Sequence, residues 1–342
     1  MLRRLLRLVG GAALAVAIFL LVPFVLLALL ILIPLSSLTA WLRRLRRRTT
    51  GSLIGWARAR RGWGRSVSRL AGSLGIDRAE LLAFKPAYRE AFIPKRSGGQ
   101  RRLLVPDAAT KALQRRLLRR VLGRLRAHPA ATGFERGRSI VDNARPHVGQ
   151  AIVIHLDVVD FFPSTSALRI EAYFRRVGWN AQAAALLTRL TTYEGGLPQG
   201  APTSPRLSNL VNYGLDARLA SYVRRRGGRY TRYADDITIS LDRDWGRRAR
   251  GFVQKTRAML RACGYRAHGR RKLSIRRRHQ RQEVTGLVVN DKAQLSRERR
   301  RWLRAVKHRQ ATGRPTSVSR EQLAGLLAYE RMVERQRDGG QS

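Results

Sequence analysis

Hydrophobic and polar positions divide the chain into three kinds of segment. No charged side chain occurs between Arg7 and Arg43, so residues 8–42 form one apolar run, far longer than the roughly 18 residues that mark a bilayer span. Residues 49–92 are rich in Arg and Gly, with short amphipathic stretches at 67–74 and 78–84 that predict small helices after a linker. From Ile93 onward the pattern is mixed. Residues 93–106 read as two short strands around Gly98-Gly99, a hairpin carrying basic side chains. Residues 110–125 place apolar residues at helical spacing and arginines on the other face. The run from Ala151 to Leu156 is almost wholly apolar and ends in Asp157, which predicts a buried strand. Residues 230–240 alternate on both sides of Ala234-Asp235-Asp236 and predict strand, acidic turn, strand. The last basic stretch, 297–309, predicts a helix studded with arginines.

At about 1.5 Å rise per residue, the apolar run can cross a bilayer of roughly 30 Å. Pro23 would kink such a helix, and Pro34 would end it. Both flanks are basic, so a re-entrant hairpin stays open beside a full span, as does an over-extended gene start. Arg43, Arg44, Arg46, Arg47 and Arg48 outnumber Arg3, Arg4 and Arg7. That bias sets the bulk of the chain on the cytoplasmic side, with residues 8–42 as an expected inner-membrane anchor.

Composition narrows the partner. The 342 residues carry 69 basic and 22 acidic side chains, a net charge of +47, so the protein repels itself unless a polyanion neutralises it. A hydrophobic share of 44% is too high for a disordered basic tail and permits a sizeable core. The single cysteine, Cys263, excludes an intrachain disulfide framework and a thiolate zinc cluster. These features together point to nucleic acid.

In that setting the acids stand out. Asp157 closes a buried strand, where a carboxylate is costly without a cation. Asp235 and Asp236 repel each other in a tight turn. Three such carboxylates brought together can hold two divalent cations roughly 3.5–4 Å apart, an arrangement that activates one oxygen and stabilises another. Oxygen-only ligands favour Mg²⁺.

Five strings in order carry a family resemblance. Tyr233-Ala234-Asp235-Asp236 resembles the Y-A-D-D box of reverse transcriptases, and Asp157-Val158-Val159-Asp160-Phe161-Phe162 resembles their first carboxylate motif. Leu197-Pro198-Gln199-Gly200-Ala201-Pro202-Thr203-Ser204-Pro205, followed by Leu207-Ser208-Asn209, is similar to the motif under the incoming nucleotide. Asn143-Ala144-Arg145-Pro146-His147 and Val284-Thr285-Gly286 resemble the N-A-x-x-H and V-T-G elements of retron-type enzymes.

The resemblance implies an α+β right-hand polymerase with an antiparallel palm sheet. Its divisions would be a hydrophobic segment at 1–48, a basic linker with small helices at 49–92, fingers and palm at 93–285, and a helical thumb at 286–342. Asp157, Asp235 and Asp236 would be catalytic and would hold two Mg²⁺ ions. Lys95 and Arg101 would grip the triphosphate of a deoxynucleotide. Gln199 and Gly200 would line its pocket, with glycine letting backbone approach the substrate. Phe162 takes the position of the gate against a 2′-hydroxyl, its alternative being a core ring beside Phe161. Asn143, His147, Val284, Thr285 and Gly286 belong to elements associated with RNA recognition, their alternatives being capping and core packing. Relatives place a lysine after a G-x-x-x-N element; here Gly264-Tyr265-Arg266-Ala267-His268 has His for Asn, and Arg271 or Lys272 could take the lysine position.

The function so implied is reverse transcription of a structured non-coding RNA, which serves as template and primer, into RNA-linked multicopy single-stranded DNA. A nearby-encoded effector protein and a role in anti-phage defence go with it. Rival expectations are a group II intron-like or other bacterial reverse transcriptase, and a membrane-tethered RNA-binding scaffold without activity.

Overall fold

The computed structural model describes residues 64–95, 98–269 and 272–338; the apolar segment 8–42, its basic flanks and Arg271 lie outside them. Among the described residues no helix is long and apolar enough to cross a membrane.

The described part begins with two short helices, α1 (Val67–Leu74) and α2 (Arg78–Ala83). Ser66 and Asp77 cap them by accepting hydrogen bonds from the first-turn amides. An antiparallel hairpin follows, β1 (Tyr88–Pro94) and β2 (Gln100–Pro106), and then α3 (Ala108–Arg120). The sequence pattern extends that helix to residue 125. It stops at Val121, whose φ of −110° leaves the helical range, and a 3₁₀ turn takes over at Leu122–Arg124. A short α4 (Ile140–Ala144) starts on a reciprocal cap between Ser139 and Asp142.

The centre of the molecule is a four-stranded antiparallel sheet in the order β4-β5-β3-β6, with β3 (Ile152–Asp157), β4 (Gly228–Tyr233), β5 (Asp236–Leu241) and β6 (Ser274–Arg277). Between β3 and β4 come α5 (Ala167–Arg176), α6 (Ala181–Thr191), α7 (Ser204–Val211) and α8 (Tyr213–Arg224). After β5 comes α9 (Ala249–Arg261). A tight hairpin, β7 (Glu283–Val284) and β8 (Leu287–Val288), leads into α10 (Arg297–Ala311) and α11 (Arg320–Asp338).

Alternation along the strands decides what each face does. Ile152, Ile154 and Leu156 of β3 and Ile237, Ile239 and Leu241 of β5 face α8 and α9, whose Leu219, Val223, Phe252 and Leu260 complete that core. Val153 faces the other way, into a core with Val141, Val284, Leu287, Leu303 and Val333 that joins the sheet to α10 and α11. A further core collects Leu70, Leu74 and Leu81 with residues of α3, α5, α6 and α7, so the two opening helices are built into the main body. The end of α11 is fastened back onto α4: the Ser139 hydroxyl donates to Gln336 Oε1 at 2.5 Å, and the Arg145 guanidinium donates to the Gln336 carbonyl.

Candidate active site

The site forms where β3 ends and β4 turns into β5. The turn is two residues, Ala234 and Asp235, with Asp236 already the first residue of β5. Ala234 has a φ of 58°, a region that residues other than glycine seldom enter. Two hydrogen bonds hold it there: Arg232 Nη1 donates to the Ala234 carbonyl at 3.0 Å, and the Val158 amide donates to the Asp235 carbonyl at 3.0 Å. Arg232 is itself wholly buried, paired with Asp216 through Nε–Oδ1 at 2.9 Å and Nη2–Oδ2 at 2.7 Å. Tyr230 donates its hydroxyl to the same carboxylate at 2.7 Å. Asn209 Oδ1 accepts from Arg232 Nη1 at 3.1 Å, which ties the turn to α7.

In the register of β3 against β5, Asp157 stands directly opposite Asp236. Since Leu156 and Ile237 face the helices, Asp157 and Asp236 emerge together on the opposite face, and Asp235 follows at the tip. The structure therefore brings the three predicted carboxylates together. Asp157 Oδ2 is 3.1 Å from Lys272 Nζ, and Oδ1 is 3.3 Å from His268 Nε2 without a hydrogen bond to it. Asp236 Oδ1 lies 3.6 Å from His155 Nδ1. Asp235 is open at the tip, yet the surrounding protein desolvates its carboxyl and raises it above the usual aspartate range; the charges of Asp157 and Asp236 add to this, and Lys272 opposes it.

These residues fit a hard divalent cation. The donors are all carboxylate oxygens, and one of them, Asp157 Oδ1, is buried without a hydrogen-bond partner. Among the described residues no group of three His, Cys, Asp or Glu side chains stands close enough together to hold a metal ion by itself. Mg²⁺ sites commonly draw one or two carboxylates from the protein and complete the shell with water and substrate phosphates.

On the hairpin side, Lys95 and Arg101 are both exposed on the β1–β2 hairpin. Next to Arg101, Arg102 pairs with Glu90 at 2.5 Å and with Glu194 at 2.9 Å, linking the hairpin to the loop before Gln199. The Gln199 carbonyl accepts from the Leu104 amide at 2.8 Å. Gly200 has a φ of 130°, and a Cβ there would stand 2.7 Å from the Leu104 carbonyl oxygen. The close approach that this glycine permits within the protein is to the backbone of β2. Phe162 is partly buried and packs at the border of two cores, with the Phe161 ring 5.5 Å away.

The residues singled out for RNA divide into two groups. Asn143 and His147 are wholly buried. Asn143 Oδ1 accepts from the Thr132 hydroxyl at 2.7 Å, while the His147 ring is held between Ser240 Oγ at 2.6 Å and Thr231 Oγ1 at 2.8 Å. Burial, then the neighbouring His155 and Arg229, push the His147 imidazole down to about 3, so it is neutral. Any influence of these two on a ligand passes through the strands they brace. Val284 is buried as well, but Thr285 (φ 47°) and Gly286 (φ 80°) form the turn of β7–β8, where successive positive φ values suit a two-residue hairpin loop. Both line a cavity of about 600 Å³ together with His155, Asp236, Ser274 and Arg276. The Thr285–Gly286 turn and the Asp236 carboxylate thus open onto one space.

Sequence reasoning missed the buried Asp216–Arg232 pair behind the turn, and it named Lys272, His268 and Asn209 without the partners they meet here, Asp157 and Arg232. His268 carried a usable signal, since it replaces the expected Asn. The others sit at sequence distances that no local pattern spans.

Comparison with known proteins follows the same outline. Residues 93–280 match the family model described as reverse transcriptase (RNA-dependent DNA polymerase). The chain is 40% identical over 263 residues to the Retron Mx65 reverse transcriptase of Myxococcus xanthus, covering 70% of this chain and 60% of that protein. It is 35% identical over 311 residues to the Retron Mx162 reverse transcriptase of the same organism, covering 79% and 64%. Against the Retron Ec86 reverse transcriptase of Escherichia coli the identity is 33% over 268 residues, covering 76% and 81%. The matched region is thus under two thirds of the length of the two Myxococcus proteins.

Proposed function

This chain belongs to the reverse transcriptases, in their retron-type branch, and on that premise we propose that it is an RNA-directed DNA polymerase acting on a structured non-coding RNA. The observation that carries the reading is the pairing of Asp157 with Asp236 beside the Asp235 turn, in a protein whose net charge is +47.

Asp157, Asp235 and Asp236 would hold the metal. Bound there, a pair of Mg²⁺ ions supplies activation of the attacking oxygen and stabilisation of the leaving one. The protein's own residues do the rest. Lys95 and Arg101 bind the triphosphate, Gln199 and Gly200 form the pocket wall, and Phe162 presses where a 2′-hydroxyl would lie. A primer hydroxyl attacks the α-phosphate of the deoxynucleotide; the new P–O bond forms as the bond to pyrophosphate breaks, and the hydroxyl proton passes to solvent. The arginines of α10 follow the phosphates of the duplex, which gives affinity without sequence information.

The retron relatives support a finer reading. The first nucleotide is joined to a 2′-hydroxyl of the folded RNA. The product is RNA-linked multicopy single-stranded DNA, working with an effector protein encoded nearby in anti-phage defence. The apolar run 8–42 holds the enzyme at the inner membrane with its catalytic body in the cytoplasm.

The test is Asp235→Asn in the full chain, expressed with its locus. RNA-linked DNA should disappear while RNA binding persists. Synthesis at the parental rate would end the catalytic assignment. The same variant should be no less stable than the parent. A carboxyl raised in the folded state is favoured there in its protonated form, so its contribution is lost as pH rises through that value, and at pH 7 the ionised group is a net cost.

A further inference from the structure

We propose that Phe134 is a positioning residue for nucleotide selection: its ring braces Phe162 beside the catalytic turn and sets how strictly the site excludes a 2′-hydroxyl. The inference rests on the polymerase reading above and deepens it.

Phe134 combines two features that a core does not need. Its backbone has a φ of 63°, an outlier for a bulky side chain. The residue remains 47% exposed. Strained residues of this kind cluster at functional sites. Two rings stand beside it, Phe162 with centroids 6.2 Å apart and Tyr233 at 6.1 Å, both within the range of favourable tilted aromatic pairs. The three rings form an apolar ledge next to Ala234 and Asp235.

The backbone that presents Phe134 is strapped to the turn. The Thr132 amide donates to the Arg232 carbonyl at 2.9 Å, and the Arg232 amide donates to the Ala130 carbonyl at 2.8 Å. Gly133 lies so close that a Cβ on it would stand 2.9 Å from the Ala234 nitrogen. Asn209 Nδ2 donates to the Gly133 carbonyl at 2.7 Å and to Glu135 Oε1 at 2.8 Å, fixing the loop to α7. Phe134 therefore keeps station with the turn that carries Asp235 and with the helix that follows Gln199. Phe162 has Phe161 and Phe134 as ring neighbours, and loss of the second leaves its outer side free to swing.

The test is single-nucleotide extension on an RNA template with the full chain, comparing kcat/KM for a deoxynucleotide and the matching ribonucleotide. Phe134→Ala should lower the selectivity ratio about 2- to 12-fold, the worth of one aromatic pair, and Phe134→Tyr should keep it. Phe134→Asn, which suits positive φ, should show the same loss in a chain at least as stable. In a Phe162→Ala background, removing Phe134 should change the ratio no further. Equal losses for both nucleotides, or additive effects of the two substitutions on the ratio, would overturn the inference alone. A parent chain that extends no primer would overturn the polymerase reading and this inference with it.

Discussion

The buried pair behind the Ala234–Asp235 turn permits a quantitative test. Asp216 and Arg232 have side-chain exposures of 0% and 1%, and two hydrogen bonds join them. Asp216→Asn keeps the shape and removes one charge, which strands a guanidinium in the core. Leaving a buried ion without its partner costs about 3–5 kcal/mol. In a folded body of this size each kcal/mol moves Tm by about 2–4 °C, so calorimetry of the full chain should show a fall of roughly 6–20 °C. A second arm separates charge from packing. Replacing the whole group with apolar residues, as Asp216→Leu with Arg232→Met and Tyr230→Phe, should recover most of the stability, because such swaps are often neutral. Synthesis should stay impaired even so, since the Ala234 carbonyl loses its Arg232 donor. A fall of less than about 2 °C for Asp216→Asn would refute the reasoning: the guanidinium would then have found water or another acceptor, and the turn would not depend on the pair.

Other expectations follow from single groups. The His147 imidazole, held down to about 3 by burial against an ordinary value of 6.5, stabilises the fold while neutral. Because its folded value is depressed, that contribution is complete above about pH 6.5 and is lost as pH falls toward 3, on the order of a few kcal/mol. Urea midpoints between pH 7 and 4 should therefore fall more steeply for the parent than for His147→Asn, and parallel curves would exclude this group. Gly200→Ala meets both a φ of 130° and the Leu104 carbonyl. It should cost about 1–3 kcal/mol in chemical denaturation and raise KM for nucleotides, while an unchanged KM would separate this turn from the pocket.

Much of this architecture is written in local patterns, and the exceptions have physical causes. The apolar run before Asp157 and the alternation around Ala234-Asp235-Asp236 announce the two central strands, because strand burial leaves a period that sequence preserves. What that period cannot convey is register. That Asp236 opens β5 rather than closing the turn, and so pairs with Asp157, depends on cross-strand hydrogen bonds between residues 79 positions apart. Arg232 illustrates the reverse problem. In Tyr230-Thr231-Arg232-Tyr233 it reads as a solvent-facing basic residue, and only the carboxylate of Asp216 from α8 makes its burial affordable. Phe134 lies in a loop with no periodicity, so its role is visible only from the neighbours that surround it. Asn143 and His147 are legible as a motif, but a motif does not say whether a side chain meets a ligand or supports a strand; here both are buried.

The clasp between Gln336 and the Ser139–Arg145 segment bears on how this protein can be handled at the bench. Helix α11 is a strut, closing a loop of the chain nearly two hundred residues long. Trimming a few residues from that strut to aid crystallisation, or fusing a rigid reporter directly to it, would unfasten the basic arm from the base it swings on. A flexible spacer placed beyond residue 338 leaves the fastening in place.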